Sequence, residues 1–264
     1  MSEVRSYQAG VPAWVDLTTS DPAASRRFYG KLFGWEFQVG PADTGHYTTC
    51  LVRGHSVAGI AGDPAPAGTS AAWTTYLASG DIDDTAGRIT AAGGQLTTEA
   101  ADVMDQGRMA IAADPTGAVF GLWQAGTHPG ASLASEPGAV SWTELQTGDL
   151  DAAQAFYTAI FGYTWQETPG GLRYATFSVG AHLAGGALAI PDQWHAGDRP
   201  NPRWLTYFAV DDADTAAASA GPLGGSVLFP PQDSPFGRFA ALRDPQGATF
   251  NAIRLPSAPE GPAS

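Results

Sequence analysis

An internal repeat constrains this 264-residue chain more than any other feature. Residues Ala13–Phe37 align with Ser141–Trp165 at a constant offset of 128, and nine of the 25 aligned positions are identical. Two later segments repeat in the same order: Trp73–Tyr76 with Trp204–Tyr207 and Gly107–Phe120 with Gly237–Phe250, at offsets of 131 and 130. Because the repeat covers almost the whole chain, we predict two copies of one structural unit that differ by small loop insertions.

Each copy contains a weaker repeat of its own, in which a Trp-containing strand leads to a helix that starts at Asp. In the first instance Asp21 fits an N-cap, Pro22 fits the first helical position, and Gly34 ends the helix. Runs typical of strands follow, at Tyr47–Val52, Ser56–Ile60, Ala72–Leu77, Arg108–Ala112 and Ala118–Trp123. One helix and about three strands, four times over, predict an α+β fold of four βαβββ modules.

A change in composition marks the boundary between the two copies. Segment 126–138 is small, polar and rich in Pro and Gly, as linkers are. We therefore predict an N-terminal domain at residues 10–125 and a C-terminal domain at 139–256. Each is long enough to bury a core of its own.

The charge balance limits the possible partners. Thirteen Lys and Arg against 26 Asp and Glu give a net charge of −13, which disfavours nucleic acid and anionic membranes because clustered cations bind both. The single cysteine, Cys50, has no partner for an intramolecular disulfide, and the N-terminus has no apolar signal segment. No apolar run approaches the ~20 residues of a membrane span. We expect a soluble protein of the cytoplasm.

Two motifs in each copy resemble a known superfamily. An Asp-started helix with a central Phe-Tyr pair and a Phe-Gly end occurs at Asp21–Gly34 and Asp149–Gly162, and D-P-x-G-x-x-F occurs at Asp114–Phe120 and Asp244–Phe250. In these motifs the chain resembles the vicinal oxygen chelate superfamily, which includes glyoxalase I, bleomycin-resistance proteins and extradiol dioxygenases. The resemblance implies that the four modules pair into two half-barrel domains in tandem, each curled around a cavity.

The superfamily's usual metal site is lost on this alignment. Its ligands are His, Glu or Gln, and the first usually stands seven residues before the helix-starting Asp, where this chain has Trp14 and Trp142. The matching positions of the second modules are assigned by alignment to Trp73 and Trp204. The closing-strand carboxylate, usually four residues after the Gly of D-P-x-G, is replaced by Gly121 and Asn251. Because an indole offers only an N–H donor and glycine has no side chain, we expect no metal and no other cofactor.

Strand alternation places further side chains beside these tryptophans, because residues i, i+2 and i+4 share a face. If the tryptophans face the cavities, these neighbours do too: Asp16 and Thr18 beside Trp14, Glu144 and Gln146 beside Trp142, Thr75 and Leu77 beside Trp73, and Thr206 and Phe208 beside Trp204. Paired indoles in an apolar cavity with a few polar groups suit a flat aromatic ligand. One alternative is that the tryptophans only fill the barrel. If they instead point outward, all the side chains on the same strand face point outward with them.

Asp16 and Glu144 are the candidate catalytic residues. A carboxylate inside a half-barrel is costly to bury without partners. It therefore anchors a ligand or acts as a general base with a raised pKa. The alternatives are a solvated strand residue and a structural ion pair.

The remaining groups give weaker signals. The five histidines form no H-x-H or HExxH pair, and no nucleophile elbow, GxGxxG or P-loop is present. His195 lies in an insertion at Pro191–Pro202, which is a candidate lid over the second cavity. We expect Cys50 to be a buried, inert thiol.

Two functions remain open. The first is metal-independent capture of a flat aromatic small molecule, such as an antibiotic or an aromatic polyketide intermediate, for self-resistance or for transfer to a pathway enzyme. The resemblance implies it, because similar metal-free actinobacterial members, often labelled hydroxylase, occur beside such pathways. The second is a metal-free enzyme of hydroxylase, lyase or isomerase type, with Glu144 or Asp16 as general base. We expect a monomer, since four modules in one chain supply what shorter relatives obtain by dimerisation.

Overall fold

Two eight-stranded sheets, each with two helices, make up the described part of the computed structural model, which comprises residues 6–62, 69–191 and 201–256. The first half contains β1 (Pro12–Thr18), α1 (Pro22–Phe33), β2 (Glu36–Val39), β3 (Thr48–Val52), β4 (His55–Ile60), β5 (Ala72–Ala78), α2 (Ile82–Ala91), β6 (Gln95–Val103), β7 (Gly107–Ala113) and β8 (Val119–Ala125). The second half contains β9 (Val140–Thr147), α3 (Leu150–Phe161), β10 (Thr164–Thr168), β11 (Tyr174–Val179), β12 (His182–Ala189), β13 (Arg203–Ala209), α4 (Ala213–Ala220), β14 (Ser226–Ser234), β15 (Gly237–Arg243) and β16 (Thr249–Arg254). This order confirms the predicted α+β fold of four βαβββ modules in two half-barrel units. The candidate lid residue His195 lies outside the described residues.

Capping residues set where the helices begin and end. The Asp21 side chain accepts a hydrogen bond from a backbone N–H of the first turn, Pro22 takes the first helical position, and Gly34 closes α1 at φ +70°. Asp149 and Gly162 do the same for α3, where φ of the glycine is +68°. Glycine suits these positions because other residues rarely adopt the left-handed conformation.

The first strands of paired modules lie side by side at the centre of each sheet. The strand orders are β2-β3-β4-β1-β5-β8-β7-β6 and β10-β11-β12-β9-β13-β16-β15-β14. The central pairs β1–β5 and β9–β13 are antiparallel, whereas β1–β4, β5–β8 and their counterparts in the second sheet are parallel. The helices pack against one face of each sheet, which we call the helix side, and we call the other face the open face.

The two halves share apolar cores on their helix sides. Helix α1 contacts α4, and α2 contacts α3, so helices from different halves pack together. One buried cluster combines Leu17 and Phe28 of the first half with Phe208 and Phe250 of the second. No helix within the described ranges is both long and apolar enough to cross a membrane.

Hydrogen bonds between buried side chains join the halves. The Tyr29 hydroxyl of α1 donates to Asp244 at 3.1 Å and accepts from the Trp73 indole at 3.0 Å. The second half repeats this arrangement, because Tyr157 of α3 donates to Asp114 at 3.1 Å and accepts from Trp204. The Phe-Tyr and D-P-x-G motifs of the sequence therefore meet across the two halves.

Removing one of these hydroxyls tests their contribution to stability. We expect Tyr29→Phe to lower the free energy of unfolding by about 1.5–3 kcal/mol, because the buried Asp244 carboxyl loses a donor and the Trp73 indole loses its acceptor. Urea unfolding at pH 7 measures the change.

Tyr163→Phe is the matched control, since its buried hydroxyl donates to a neutral carbonyl, that of Gly10. We expect about 1 kcal/mol there. Equal costs for the two variants would contradict a special role of the bond to Asp244.

Candidate functional site

The pairing of β1 with β5 determines which side chains share the open face of the first half. Trp14 lies opposite Tyr76, and Asp16 opposite Thr74. Directly opposed residues of antiparallel strands point to the same side. A hydrogen bond from the Tyr76 hydroxyl to Asp16 places this set on one face, away from the core around Leu17.

The same pairing corrects the prediction for β5. Trp73 lies opposite Leu17 and Thr75 opposite Val15, so both point to the helix side and not into an open-face cavity. Trp73 is buried in the shared core, and the Thr75 hydroxyl is buried without a hydrogen-bond partner. Counting back seven residues from the N-cap Asp81 gives Thr74, so the alignment of Trp73 with Trp14 was wrong by one residue. A shift of one residue turns a whole strand over.

The second half shows the same correction. Trp204 lies opposite Leu145 and Thr206 opposite Thr143, so both point to the helix side. Phe208, also predicted to line the cavity, is buried in the shared core and contacts the rings of Trp73 and Phe250.

The first half contains a network of an indole, two phenols and a carboxylate on its open face. The Trp14 indole donates to the Tyr47 hydroxyl at 2.9 Å, and Tyr47 donates to Asp16 at 3.4 Å. Tyr76 donates to the same carboxylate oxygen at 3.1 Å. Thr18 lies opposite Ala72 on this face.

The second half repeats the network with additional polar groups. The Trp142 indole donates to Tyr174 at 3.0 Å, and Tyr207 donates to Glu144 at 3.1 Å. The Gln146 amide donates to the other Glu144 oxygen at 3.0 Å. Its own carbonyl oxygen accepts two hydrogen bonds from Arg203, at 3.0 and 3.2 Å.

Glycines allow the tyrosines of β3 and β11 to cross their neighbouring strands. A Cβ on Gly59 would collide with the Tyr47 hydroxyl, and one on Gly186 with the Tyr174 hydroxyl. Gly121 lies beside Tyr76 on the parallel strand β8, where a Cβ would collide with the Tyr76 ring. The absence of side chains at these positions makes room for the phenols that face the carboxylates.

The two carboxyl groups differ in their surroundings. Burial raises the pKa of Asp16 to about 7, and the hydrogen bonds from Tyr76 and Tyr47 offset only part of this effect. Burial also raises the pKa of Glu144, against the opposing effects of Gln146, Tyr207, Tyr174 and Arg203. Asp16 keeps some exposure to solvent, whereas Glu144 is buried. Asp16 is therefore the more accessible acid–base group.

The two indoles also differ in their exposure to solvent, but here the group of the second half is the more exposed one. Trp14 is 6% exposed, and the His128 ring packs edge-on against it with 4.5 Å between ring centroids. Burial lowers the pKa of His128. Trp142 keeps partial exposure and stacks with Phe236 at 5.8 Å and an interplanar angle of 18°. Since Phe236 is 37% exposed, the aromatic surface of the second half is the more accessible one.

A cavity of about 560 Å³ lies where the two halves meet, which the prediction of one cavity per domain did not include. Its walls come from the starts of β1 and β9, from residues 6–8 and from segment 131–135. Trp14 and Trp142 both line it, but Asp16 and Glu144 do not. The cavity therefore borders both tryptophans and neither carboxylate.

The positions that hold a metal in the superfamily do not fit one here. They carry Trp14 and Trp142, the corrected Thr74 and Leu205, and the closing-strand Gly121 and Asn251. Among these six, only the Asn251 amide and the Thr74 hydroxyl offer an oxygen, and neither is the imidazole or carboxylate that such sites use. Within the described residues no three His, Cys, Asp or Glu side chains cluster as metal ligands do.

Asn251 nevertheless lies at the site. It is opposite Tyr207 on the parallel strand β16, and its side-chain oxygen is buried without a hydrogen-bond partner. A ligand donor is one way to satisfy such an acceptor.

Sequence reasoning missed the four tyrosines of the two networks, and Arg203 beside Glu144. Tyr76 and Tyr207 could have been predicted from the sequence. Thr74 is the position equivalent to Trp14, and Tyr76, two residues further along the strand, shares its face. Tyr47 and Tyr174 carry no such signal, because their contacts with the carboxylates depend on how strands pair.

The chain belongs to the Glyoxalase/Bleomycin resistance protein/Dioxygenase superfamily, whose family model matches residues 12–122 and 139–252. This confirms the resemblance stated above, in both copies of the repeat.

The chain is similar along its whole length to two kinds of actinobacterial protein. It is 41% identical over 266 residues to the Putative glyoxylase CFP32 of Mycobacterium tuberculosis, covering 96% of this chain and 98% of that protein. It is 37% identical over 276 residues to the Anthracycline biosynthesis protein DnrV of Streptomyces peucetius, covering 94% of each.

Solved structures share the fold at low sequence identity. The Mn(II)-bound glyoxalase from Novosphingobium aromaticivorans has a TM-score of 0.64 at 17% identity, with 94% of this chain and 85% of that one covered. The 2,3-dioxygenase LapB from Pseudomonas sp. KL28 has the same TM-score at 14% identity, with 98% of each covered. These matches concern the fold alone.

Asp16→Asn should change how stability depends on pH. Because burial raises the folded-state pKa of Asp16 from 3.8 to about 7, the fold favours the protonated form. The stabilisation of the fold by protonated Asp16 is complete at pH values below the pKa of the unfolded state. It is lost as the pH rises to and through the pKa of the folded state. We expect the wild type to lose about 1–3 kcal/mol relative to Asp16→Asn between pH 4 and pH 8, measured by urea unfolding.

Asp83→Asn is the control for this experiment, because the hydrogen bonds from Arg108 lower the pKa of the exposed Asp83. Because a lowered pKa changes stability only below about the unfolded value of 3.8, the difference between Asp83→Asn and the wild type should stay nearly constant between pH 4 and pH 8. A difference between wild type and Asp16→Asn that does not vary with pH would contradict the raised pKa.

Proposed function

We propose that this protein binds a flat aromatic small molecule, without a metal, against the tryptophans of its open faces. The observation that carries the proposal is the stacked pair of Trp142 and Phe236 above the Glu144 network. An accessible aromatic surface with a few buried polar groups beneath it is typical of small-molecule sites.

The polar groups beneath the aromatic surface suit a ligand that carries hydroxyl or carbonyl groups. Glu144 and the unpartnered Asn251 oxygen accept hydrogen bonds, while the Tyr174 and Tyr207 hydroxyls can accept or donate. A phenol or quinone offers complementary groups in the plane of its rings. The first half has the same arrangement around Asp16, with its indole covered by His128.

The names of the relatives support the biological role. DnrV of S. peucetius, and DauV of Streptomyces sp. strain C5 at 37% identity, are named as anthracycline biosynthesis proteins. We infer a role in the biosynthesis of an aromatic antibiotic or in resistance to one, through capture of a pathway intermediate or of the product. The chain would do this in the cytoplasm, as a monomer.

Binding of 1,8-dihydroxyanthraquinone, a flat neutral compound, tests the proposal. We expect it to quench the tryptophan fluorescence of the wild type and to bind at least about tenfold more weakly to Trp142→Ala, because the ring loses its stacking surface. Isothermal titration calorimetry gives the affinity and the stoichiometry.

Trp14→Ala tests the first half in the same way, and Trp165→Ala is the control. The Trp165 indole donates to Thr158 on helix α3, away from both networks. We expect the control to bind within about twofold of the wild type. Unchanged affinity in both Trp14→Ala and Trp142→Ala, with each fold verified by circular dichroism, would sink the assignment.

A metal-free enzyme is the second candidate, and the accessible Asp16 with its pKa near 7 favours it. The ideal general base titrates near the working pH. The Asp16 carboxylate would take the proton of an acidic C–H, and the electron pair of that bond would move through the conjugated rings to a carbonyl oxygen. The Tyr47 or Tyr76 hydroxyl, released from Asp16 once that group is protonated, would stabilise the oxyanion.

Hydrogen–deuterium exchange at the acidic CH₂ of anthrone tests this second candidate, followed by NMR in D₂O. We expect catalysed exchange to fall by at least about a hundredfold in Asp16→Asn, with binding of 1,8-dihydroxyanthraquinone unchanged. Glu144→Gln distinguishes the two halves, since its loss of exchange would assign the base to the second one. Equal exchange in the wild type and both variants would end the enzyme proposal.

A further inference from the structure

The open face of the second half changes in character from one end to the other. Trp142, Tyr207 and Phe236 form an aromatic end. Glu144 lies in the middle, opposite Leu205. The opposite end carries positive charge.

Arg203 and Arg243 form this cationic end. Arg203 lies opposite Gln146, two residues beyond Glu144 along β9. Arg243 lies opposite Thr249 on β16. The register of β16 with β13 places Thr249 beside Leu205, so Arg243 is on the same open face as Glu144. Burial has the largest effect on Arg203 and lowers its pKa; the charge of Glu144 opposes this effect, and the charge of Arg243 adds to it, so the two arginines are close enough to interact.

Both guanidinium groups keep unused hydrogen-bonding capacity. Arg203 uses Nε and Nη2 for Gln146, which leaves Nη1 and the second Nη2 hydrogen. Neither arginine belongs to the ion pairs of the described residues, whereas Arg108 and Arg238, which are partly buried as Arg203 is, are paired with aspartates. In a chain with a net charge of −13, two unpaired arginines on one face are an unusual concentration of positive charge.

The first half provides an internal comparison, because the repeat pairs each of these residues with an uncharged one. Ala72 stands where the second half has Arg203, Ala113 where it has Arg243, and Thr18 where it has Gln146. The two halves therefore share the aromatic–phenol–carboxylate network and differ in the cationic end.

We propose that the second half binds an aromatic carboxylate, with its rings on Trp142 and Phe236 and its carboxylate on Arg203 and Arg243. This inference rests on the proposed function and specifies its ligand class. Trp142 and Gln146 are four residues apart on β9, which is about 13 Å along a strand. This distance suits a ligand of three fused rings with a carboxylate at one end. Arginine matches a carboxylate because its N–H groups donate in a planar fork.

Two compounds of the same shape and different charge test the inference. Anthraquinone-2-carboxylate is the charged ligand, and anthraquinone-2-carboxamide is its neutral counterpart. For the wild type at low salt we expect the carboxylate to bind at least about tenfold more tightly than the amide, and to lose this advantage in 0.5 M NaCl.

Two substitutions identify the groups responsible. We expect Arg203→Gln and Arg243→Gln each to weaken binding of the carboxylate by about tenfold while changing binding of the amide by less than about twofold. Arg243 is exposed at the end of β15, so its replacement leaves the core intact. Arg173→Gln is the matched control, because it removes the same charge from an exposed pair with Asp151 on helix α3.

The outcomes separate this inference from the proposed function. If both compounds bind equally and neither arginine variant changes their affinities, the inference is wrong and aromatic capture stands. If neither compound binds to the wild type, aromatic capture of this class fails with it. If Arg173→Gln weakens carboxylate binding as much as Arg243→Gln does, the effect is one of overall charge, and the cationic end is not the cause.

Discussion

The pairing of β1 with β5, and of β9 with β13, decides which side chains meet in this fold. Opposed residues share a face, so Trp14, Asp16 and Tyr76 come together on the open face while Leu17 and Trp73 pack into the core. A shift of one residue would bury the carboxylate among apolar side chains and expose the core tryptophan. The register therefore allows the hydrogen bonds between Asp16 and the phenols, and these hydrogen bonds in turn stabilise the register.

Gene duplication produced two networks of the same design, and the differences between them indicate how the halves have specialised. In the first, the indole is covered by His128 and the carboxyl remains reachable. In the second, the carboxyl is enclosed by Tyr207 and Gln146, and the indole is the accessible group. Proton transfer thus fits the first half better, and ligand stacking the second. The shared helix-side core couples the stability of the halves without forcing their open faces to remain alike.

The repeat, the capping residues and the turn motifs sufficed to predict four βαβββ modules, because these signals are local and recur along the chain. The pairing of the modules into two half-barrel sheets came from the resemblance to the superfamily. Alternation along β1 and β9 also predicted correctly that Asp16 accompanies Trp14 and Glu144 accompanies Trp142. The failure at Trp73 and Trp204 has a simple cause, since aligning one Trp with another overrode the count back from Asp81 and displaced β5 by one residue. Tyr47 and Tyr174 reach the carboxylates, and Arg203 reaches Gln146, only through strand pairing, which no local pattern in the chain specifies.

Native mass spectrometry of the protein as purified from its host, combined with elemental analysis, tests the central claim of metal-free aromatic capture most directly. We predict less than about 0.1 divalent metal ion per chain and a co-purifying small molecule with the absorption spectrum of an extended aromatic system. One stoichiometric divalent ion per chain would contradict the claim, because the residues at the superfamily's metal positions would then have to bind it in an arrangement different from the one described.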